Sequence, residues 1–243
     1  MKIIFSYFVI ALMIANNATA LATCTLCENK KLAILPRQTI NNFVRNHQRW
    51  RLEKVNDHQQ LACSVPCNLA DATRIISSIT AIAETQQHHP DITVTQENVT
   101  ISIYTHSQNA LTGKDIAFVT AIEKYLASTE LVSNFSHQTE QLSNKQRCPA
   151  QELTLFLAQN QYWQLTPDAK AVQFSYNAPS FEVLAKALGQ CLQLKDISSH
   201  IVEVFLSYGT CSITLQDNNQ LISNETLAQA QACQRIFDNL IAH

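Results

Sequence analysis

Glycine is scarce in this chain of 243 residues: three occur, at Gly113, Gly189 and Gly209, and no two are neighbours. Phosphate-cradling loops and dinucleotide fingerprints need clustered glycines, because only a bare backbone can close on a pyrophosphate, so those binding classes are excluded. Charge is scarce as well. Only 15% of residues are charged, and 17 Lys and Arg stand against 19 Asp and Glu, so no positive field draws the chain to nucleic acid or to an anionic membrane. After the first 20 residues no apolar run approaches the roughly 20 residues that span a bilayer. What remains is a chain with 46% apolar residues, enough for packed cores. Its length suits two small domains better than one large one.

Residues 1–20 read as a secretory signal peptide: Lys2, an apolar run from Ile3 to Ala15, and Ala18-Thr19-Ala20 as a small-residue cleavage site before Leu21. An exported protein, periplasmic or secreted, is the expectation. Eight cysteines in such a chain imply structural disulfides. They divide evenly, with Cys24, Cys27, Cys63 and Cys67 in the first half and Cys148, Cys191, Cys211 and Cys233 in the second, so bridges confined to each half are expected.

An internal repeat organises the rest. Pro36, Phe43, Trp50, Leu52 and Pro66 recur at constant spacing as Pro149, Phe156, Trp163, Leu165 and Pro179, and Ala72, Ile75 and Ile79 as Ala185, Leu188 and Leu192. The register then slips by one before Ile101 and Ile103 match Ile213 and Leu215. This predicts two tandem domains, 30–128 and 146–242, joined by a polar linker at 129–145. Within each, apolar residues at helical spacing alternate with strand-like runs. Ile75, Ile76, Ile79, Ile82 and Ala83 keep the helical period, whereas Val99, Ile101 and Ile103 alternate strictly. The predicted fold is α+β, each domain a four-stranded antiparallel sheet with helices packed on one face in the order α-β-β-α-β-β-α.

A polar cluster interrupts this pattern. Glu84 precedes His88-His89-Pro90 by four residues, His106 closes the second hairpin, and Asp115 follows nine residues later. Each has a structural explanation: Glu84 as a solvated carboxylate, and Asp115 as the partner of Thr112 in a capping box. Together, at these spacings, the residues resemble the pterin-4a-carbinolamine dehydratases (4a-hydroxytetrahydrobiopterin dehydratases). That family's pattern has an acidic residue, His-His-Pro, an aromatic six residues beyond the Pro, and then a His and an Asp. Gln96 stands at the aromatic position and departs from it.

The resemblance implies a dehydratase for a small-molecule pterin that uses neither metal nor organic cofactor. The C4a hydroxyl of a 4a-hydroxytetrahydropterin is protonated and leaves as water while N5 loses its proton, giving a quinonoid dihydropterin. Imidazoles suit both proton transfers near neutral pH. His88, His89 and His106 are thus implied as the proton-transfer and positioning groups, with Glu84 and Asp115 orienting them and raising their pKa. Two other readings compete: a zinc set of three His and one Glu, and an exported, non-catalytic dimerisation or binding module. The resemblance also implies that the two repeats pair edge to edge within one chain, with room left for a homo-oligomer. The second repeat retains Asp196 and His200 but has Ile201, Asn218 and Thr226 where the first has His89, His106 and Asp115, so catalysis is expected in the first repeat alone.

Overall fold

A computed structural model describes residues 32–129 and 146–241. The expected signal peptide, Cys24, Cys27 and all but the first residue of the expected linker lie outside them. In the first half, α1 (Arg37–Asn46) leads into the hairpin of β1 (Arg51–Val55) and β2 (His58–Pro66). Asn68 then caps α2 (Leu69–Gln86), its side chain accepting from the Asp71 N–H at 2.8 Å. The strands β3 (Asp91–Val94) and β4 (Asn98–Ile103) and the helix α3 (Gly113–Ser128) complete it. The second half repeats the order with α4 (Ala150–Gln159), β5 (Trp163–Leu165), β6 (Val172–Asn177), α5 (Phe181–Cys191), β7 (Ile201–Ser207), β8 (Thr210–Leu215) and α6 (Asn224–Ile241).

The α+β class and the antiparallel pairing agree with the sequence, but two separate four-stranded sheets do not form. All eight strands belong to one sheet, in the order β1-β2-β4-β3-β7-β8-β6-β5. The seam is the antiparallel pair β3 and β7, with Ile92 opposite Leu206, Thr93 opposite Phe205 and Val94 opposite Val204. The cause is the strand order: β3 and β7 are each the outermost strand of their half, and an unpaired edge of N–H and C=O groups is satisfied by another edge. The edge-to-edge pairing implied by the resemblance is thus present, as a continuous sheet.

Helices cover one face. Ile92, Val94, Val99, Ile101 and Ile103 are buried, whereas the alternate residues Thr93, Thr100 and Ser102 are only half-buried. Helices α2 and α5 pack on the buried face and against each other, so the halves also meet in the helical layer. They approach closely at Gly189, where an added Cβ would lie 3.5 Å from Thr73 Cγ2.

The repeat register needs one correction. Pro66 pairs with Asn98 and Asn177 with Thr210, so Asn177, not Pro179, stands at the place of Pro66. The connection between β5 and β6 differs in length from that between β1 and β2, which moves the slip ahead of α2 and α5. Asn68 and Ser180 then cap equivalent helices.

The expected disulfides are also corrected. Among the described residues Cys63, Cys67, Cys148, Cys191, Cys211 and Cys233 are free thiols, all buried. They fill core positions as small apolar side chains. Cys191 and Cys233 meet as neighbouring thiols, and their hydrogen bond, followed by burial, pushes the Cys191 pKa far up. Burial pushes Cys67 up to about 11 and also raises Cys211. A thiol held protonated is inert to exchange.

Candidate active site

The segment carrying both adjacent histidines is shaped by the end of α2. Gln87 turns left-handed at φ 48, and the His88 N–H returns to the Ala83 carbonyl at 3.1 Å, a closing bond of the Schellman type. Pro90 then holds His89 out of the helical region, and β3 starts at Asp91. Within four residues, 87–90, the chain passes from helix to strand, and both imidazoles are carried inward. His88 is 5% exposed and His89 6%.

Each meets its own carboxylate. His88 Nε2 lies 2.7 Å from Asp115 Oδ1, and His89 Nε2 lies 3.1 Å from Glu84 Oε1. A carboxylate accepts, so each Nε2 carries a proton, which leaves Nδ1 of each ring as the nitrogen that can take up or release a second proton. Asp115 is fully buried and divides its work. Its Oδ1 takes His88, while its Oδ2 accepts from the Thr112 N–H at 2.6 Å and the Thr105 hydroxyl at 2.8 Å, completing the capping box at the start of α3. The capping role and the histidine-orienting role are therefore not alternatives, because a carboxylate has an oxygen for each.

His106 opens a short 3-10 turn after β4. Its Nε2 is 3.4 Å from Asp91 Oδ1, and its ring packs 4.1 Å from Tyr104, which stacks on His58 at 3.9 Å. Burial, with the charges of Asp91 and Asp57, raises the Tyr104 phenol. Two buried polar atoms here lack a hydrogen-bond partner, Asp91 Oδ1 and His58 Nε2, and an unpaired buried polar group is costly to leave so. Asp91 directly follows the His-His-Pro run, as in bacterial relatives of the family that the chain resembles, but the sequence gives it no site role; Tyr104 and His58 are not marked by the sequence, and His58 reaches the cluster only through the hairpin.

The expectation that a carboxylate raises each imidazole's pKa fails for His89. Burial lowers it, and the opposing hydrogen bond and charge of Glu84 do not make up the loss; charge on His88 or His106 lowers it further. His89 is thus held neutral at pH 7. Among the described residues, no group of three or more His, Cys, Asp or Glu side chains is arranged to hold a metal ion, and no helix is long and apolar enough to cross a membrane.

In the second half, His200 occupies the place of His88 and is 2% exposed, but its surroundings differ. Its Nδ1 reaches the Asp196 backbone carbonyl at 3.1 Å, and its Nε2 has no partner. Thr226 replaces Asp115 in the corresponding cap, exchanging hydrogen bonds with Ser223. The acid-and-His pair expected at Asp196 and His200 is not formed by the Asp196 carboxylate. Helix α5 ends at Cys191, and Asp196 sits left-handed at φ 62 ahead of a 3-10 turn.

The family model described as pterin 4 alpha carbinolamine dehydratase matches residues 33–125. A "Putative pterin-4-alpha-carbinolamine dehydratase" of Trichodesmium erythraeum (strain IMS101) is 30% identical over 89 residues, 37% of this chain and 92% of the relative. A protein of the same name from Chloroflexus aggregans (strain MD-66 / DSM 9485) is 30% identical over 95 residues, 39% of this chain and 99% of the relative. Among solved structures, a transcriptional coactivator/pterin dehydratase from Brucella melitensis is 22% identical, covers 38% of this chain and 97% of its own, and superposes with a TM-score of 0.35.

Proposed function

The chain belongs to the pterin-4a-carbinolamine dehydratase family, and from that premise we propose that its first half dehydrates a 4a-hydroxytetrahydropterin. The observation that carries this is the paired arrangement of His88 with Asp115 and His89 with Glu84, with His106 close enough to affect the His89 charge. The reaction needs one proton delivered to the C4a hydroxyl, which leaves as water, and one proton removed from N5. The N5 electron pair then closes the C4a–N5 double bond. His89 is the base, because burial keeps it unprotonated at neutral pH. The acid is His88 or His106. Asp115 and Glu84 fix the tautomers and ring orientations. His58 Nε2, which has no hydrogen-bond partner, and Asp91 Oδ1, whose His106 contact is a long 3.4 Å, supply polar positions for the substrate's own N–H and carbonyl groups. As part of the same proposal, we place this chemistry outside the cytoplasm on the strength of the export signal expected at 1–20.

The test is turnover of a synthetic 4a-hydroxytetrahydropterin, followed as formation of the quinonoid dihydropterin. The wild-type chain is expected to accelerate it, and His88→Ala and His106→Ala to lose at least about a hundredfold. The second reading, a non-catalytic binding or dimerisation module, draws on Gln96. Its amide donates to the Ile201 carbonyl at 3.0 Å across the seam, so the position that is aromatic in the family ties the halves together here. A folded wild-type chain without turnover would establish that reading instead.

A further inference from the structure

His89 belongs to the first half, yet two of its ring neighbours do not. Its ring centroid lies 5.1 Å from Phe181 and 4.8 Å from Tyr208. Phe181 opens α5 and is 1% exposed. Tyr208 and Gly209 form the turn between β7 and β8, closed by the pair Ser207 and Thr210, with Gly209 at φ 82 providing the left-handed corner. The seam brings them there. With Ile92 opposite Leu206, the antiparallel register runs on to set His89 and Pro90 beside Tyr208 and Gly209.

The other end of the seam is its counterpart, since Thr93 and Phe205 pair across the centre. There Gln96 stands where Tyr208 stands, and Ile201 where His89 stands. A cavity of ≈ 710 Å³ at that end is lined by Gln96, Ile201, Asp217 and Asn218 among others, with no imidazole and no aromatic ring. One seam thus has two unlike ends: an imidazole of the first half under an aromatic ring of the second, and an amide of the first half on a backbone carbonyl of the second.

We infer that the second half completes the first half's site, with Tyr208 and Phe181 as positioning residues that pack the His89 ring against Glu84. This rests on the dehydratase reading for its effect on turnover, though not for the packing itself. The two ring contacts limit the tilt of the imidazole, so Nε2 stays on Glu84 and Nδ1 keeps one direction. The charged or titratable groups around His89 are Glu84 on α2, the adjacent His88, His106 beyond β4, and the Tyr208 phenol on the turn. On α5, Glu182 and Lys186 share a groove with Glu84. Among the described residues, only Tyr208 and Phe181 bring aromatic surface from the other half to the ring.

The experiment is an NMR titration of the full chain with isotope-labelled histidine, alongside turnover, for wild type, Tyr208→Ala, Tyr208→Phe and Phe181→Leu. Tyr208→Ala is expected to move the His89 midpoint up toward the ordinary imidazole value of about 6.5, to shift the acid limb of the pH profile with it, and to lower kcat about tenfold with little change in KM. Tyr208→Phe keeps the ring and should restore all three. Phe181→Leu, a change of shape within the core, gives the same readout if Tyr208→Ala fails to fold. A folded Tyr208→Ala chain with unaltered His89 titration and pH profile overturns the inference, as does a Tyr208→Phe chain no better than Tyr208→Ala. Absence of turnover in the wild type overturns the activity reading alone. The titration then still decides whether the second half holds His89.

Discussion

His88 and His200 stand at the same place in two halves built to the same plan, each nearly sealed from solvent, and they have opposite electrostatic surroundings. His88 has a buried carboxylate on Nε2; His200 has nothing on Nε2 and a backbone carbonyl on Nδ1. The change behind this is small. Asp115 and Thr226 occupy the same turn of their caps, and a helix N-terminus needs only a side-chain oxygen there. The fold therefore accepts threonine, whereas the histidine above it loses its counter-charge. Architecture and chemistry load different oxygens of one carboxylate, so one can be kept while the other is lost.

The largest effect that should separate the halves is on turnover. His88→Ala is expected to reduce dehydration by about 10²- to 10⁴-fold, while His200→Ala leaves it unchanged in the folded protein. A first-half variant that keeps its rate, or a second-half variant that loses it, breaks the assignment. Copying the second half into the first, as Asp115→Thr, should also cost about a hundredfold, with the cap preserved but the buried partner of His88 lost, so that its loss of stability falls between those of Thr226→Ala and Asp115→Ala.

Stability comes next. Asp115→Ala removes the cap and strips partners from His88 and Thr105, and should cost about 2–4 kcal/mol by urea unfolding. Thr226→Ala loses the cap alone, about 1 kcal/mol. Equal losses would mean that the His88 pairing contributes nothing to folding.

Acid should distinguish the halves at His89, which Ile201 replaces. The folded state depresses the His89 pKa, so the unfolded chain takes up that proton first. Its contribution to stability is complete above the unfolded value of about 6.5 and is lost as pH falls from there through the depressed folded value. Urea unfolding at pH 7.5 and pH 5 should show less stability at the lower pH, and His89→Leu should flatten that dependence.

Two smaller effects bear on the seam and on the thiols. Gln96→Ala removes one hydrogen bond between the halves and should cost about 1 kcal/mol without lowering turnover. Reductant should leave the unfolding free energy within about 0.5 kcal/mol, against the 2–4 kcal/mol typical of a structural bridge. A larger loss would show a bridge among these six cysteines or one at Cys24 or Cys27, which lie outside the described residues.

The element order and the intact motif were legible in the chain because both are local. The spacing of Ile75, Ile76, Ile79 and Ala83 marks α2, the alternation through Val99, Ile101 and Ile103 marks β4, and the His-His-Pro run with Glu84, His106 and Asp115 sits at fixed intervals. The thiols were misjudged because export and cysteine count predict oxidation, whereas side-chain direction and burial decide whether two sulfurs meet at all. The rise expected in the His89 pKa failed for a related reason: a neighbouring carboxylate can be guessed from spacing, but desolvation cannot.

By itself the sequence determined the α+β elements, their order in both halves, and which half carries three histidines and two acids, since periodicity and spacing act over a few residues. Only the tertiary structure decided that β3 and β7 close one sheet, that Asp115 serves His88 and Glu84 serves His89, and that Phe181 and Tyr208 lie on an imidazole from the other half. Those outcomes depend on strand register and burial, which are set by contacts between residues far apart in the chain.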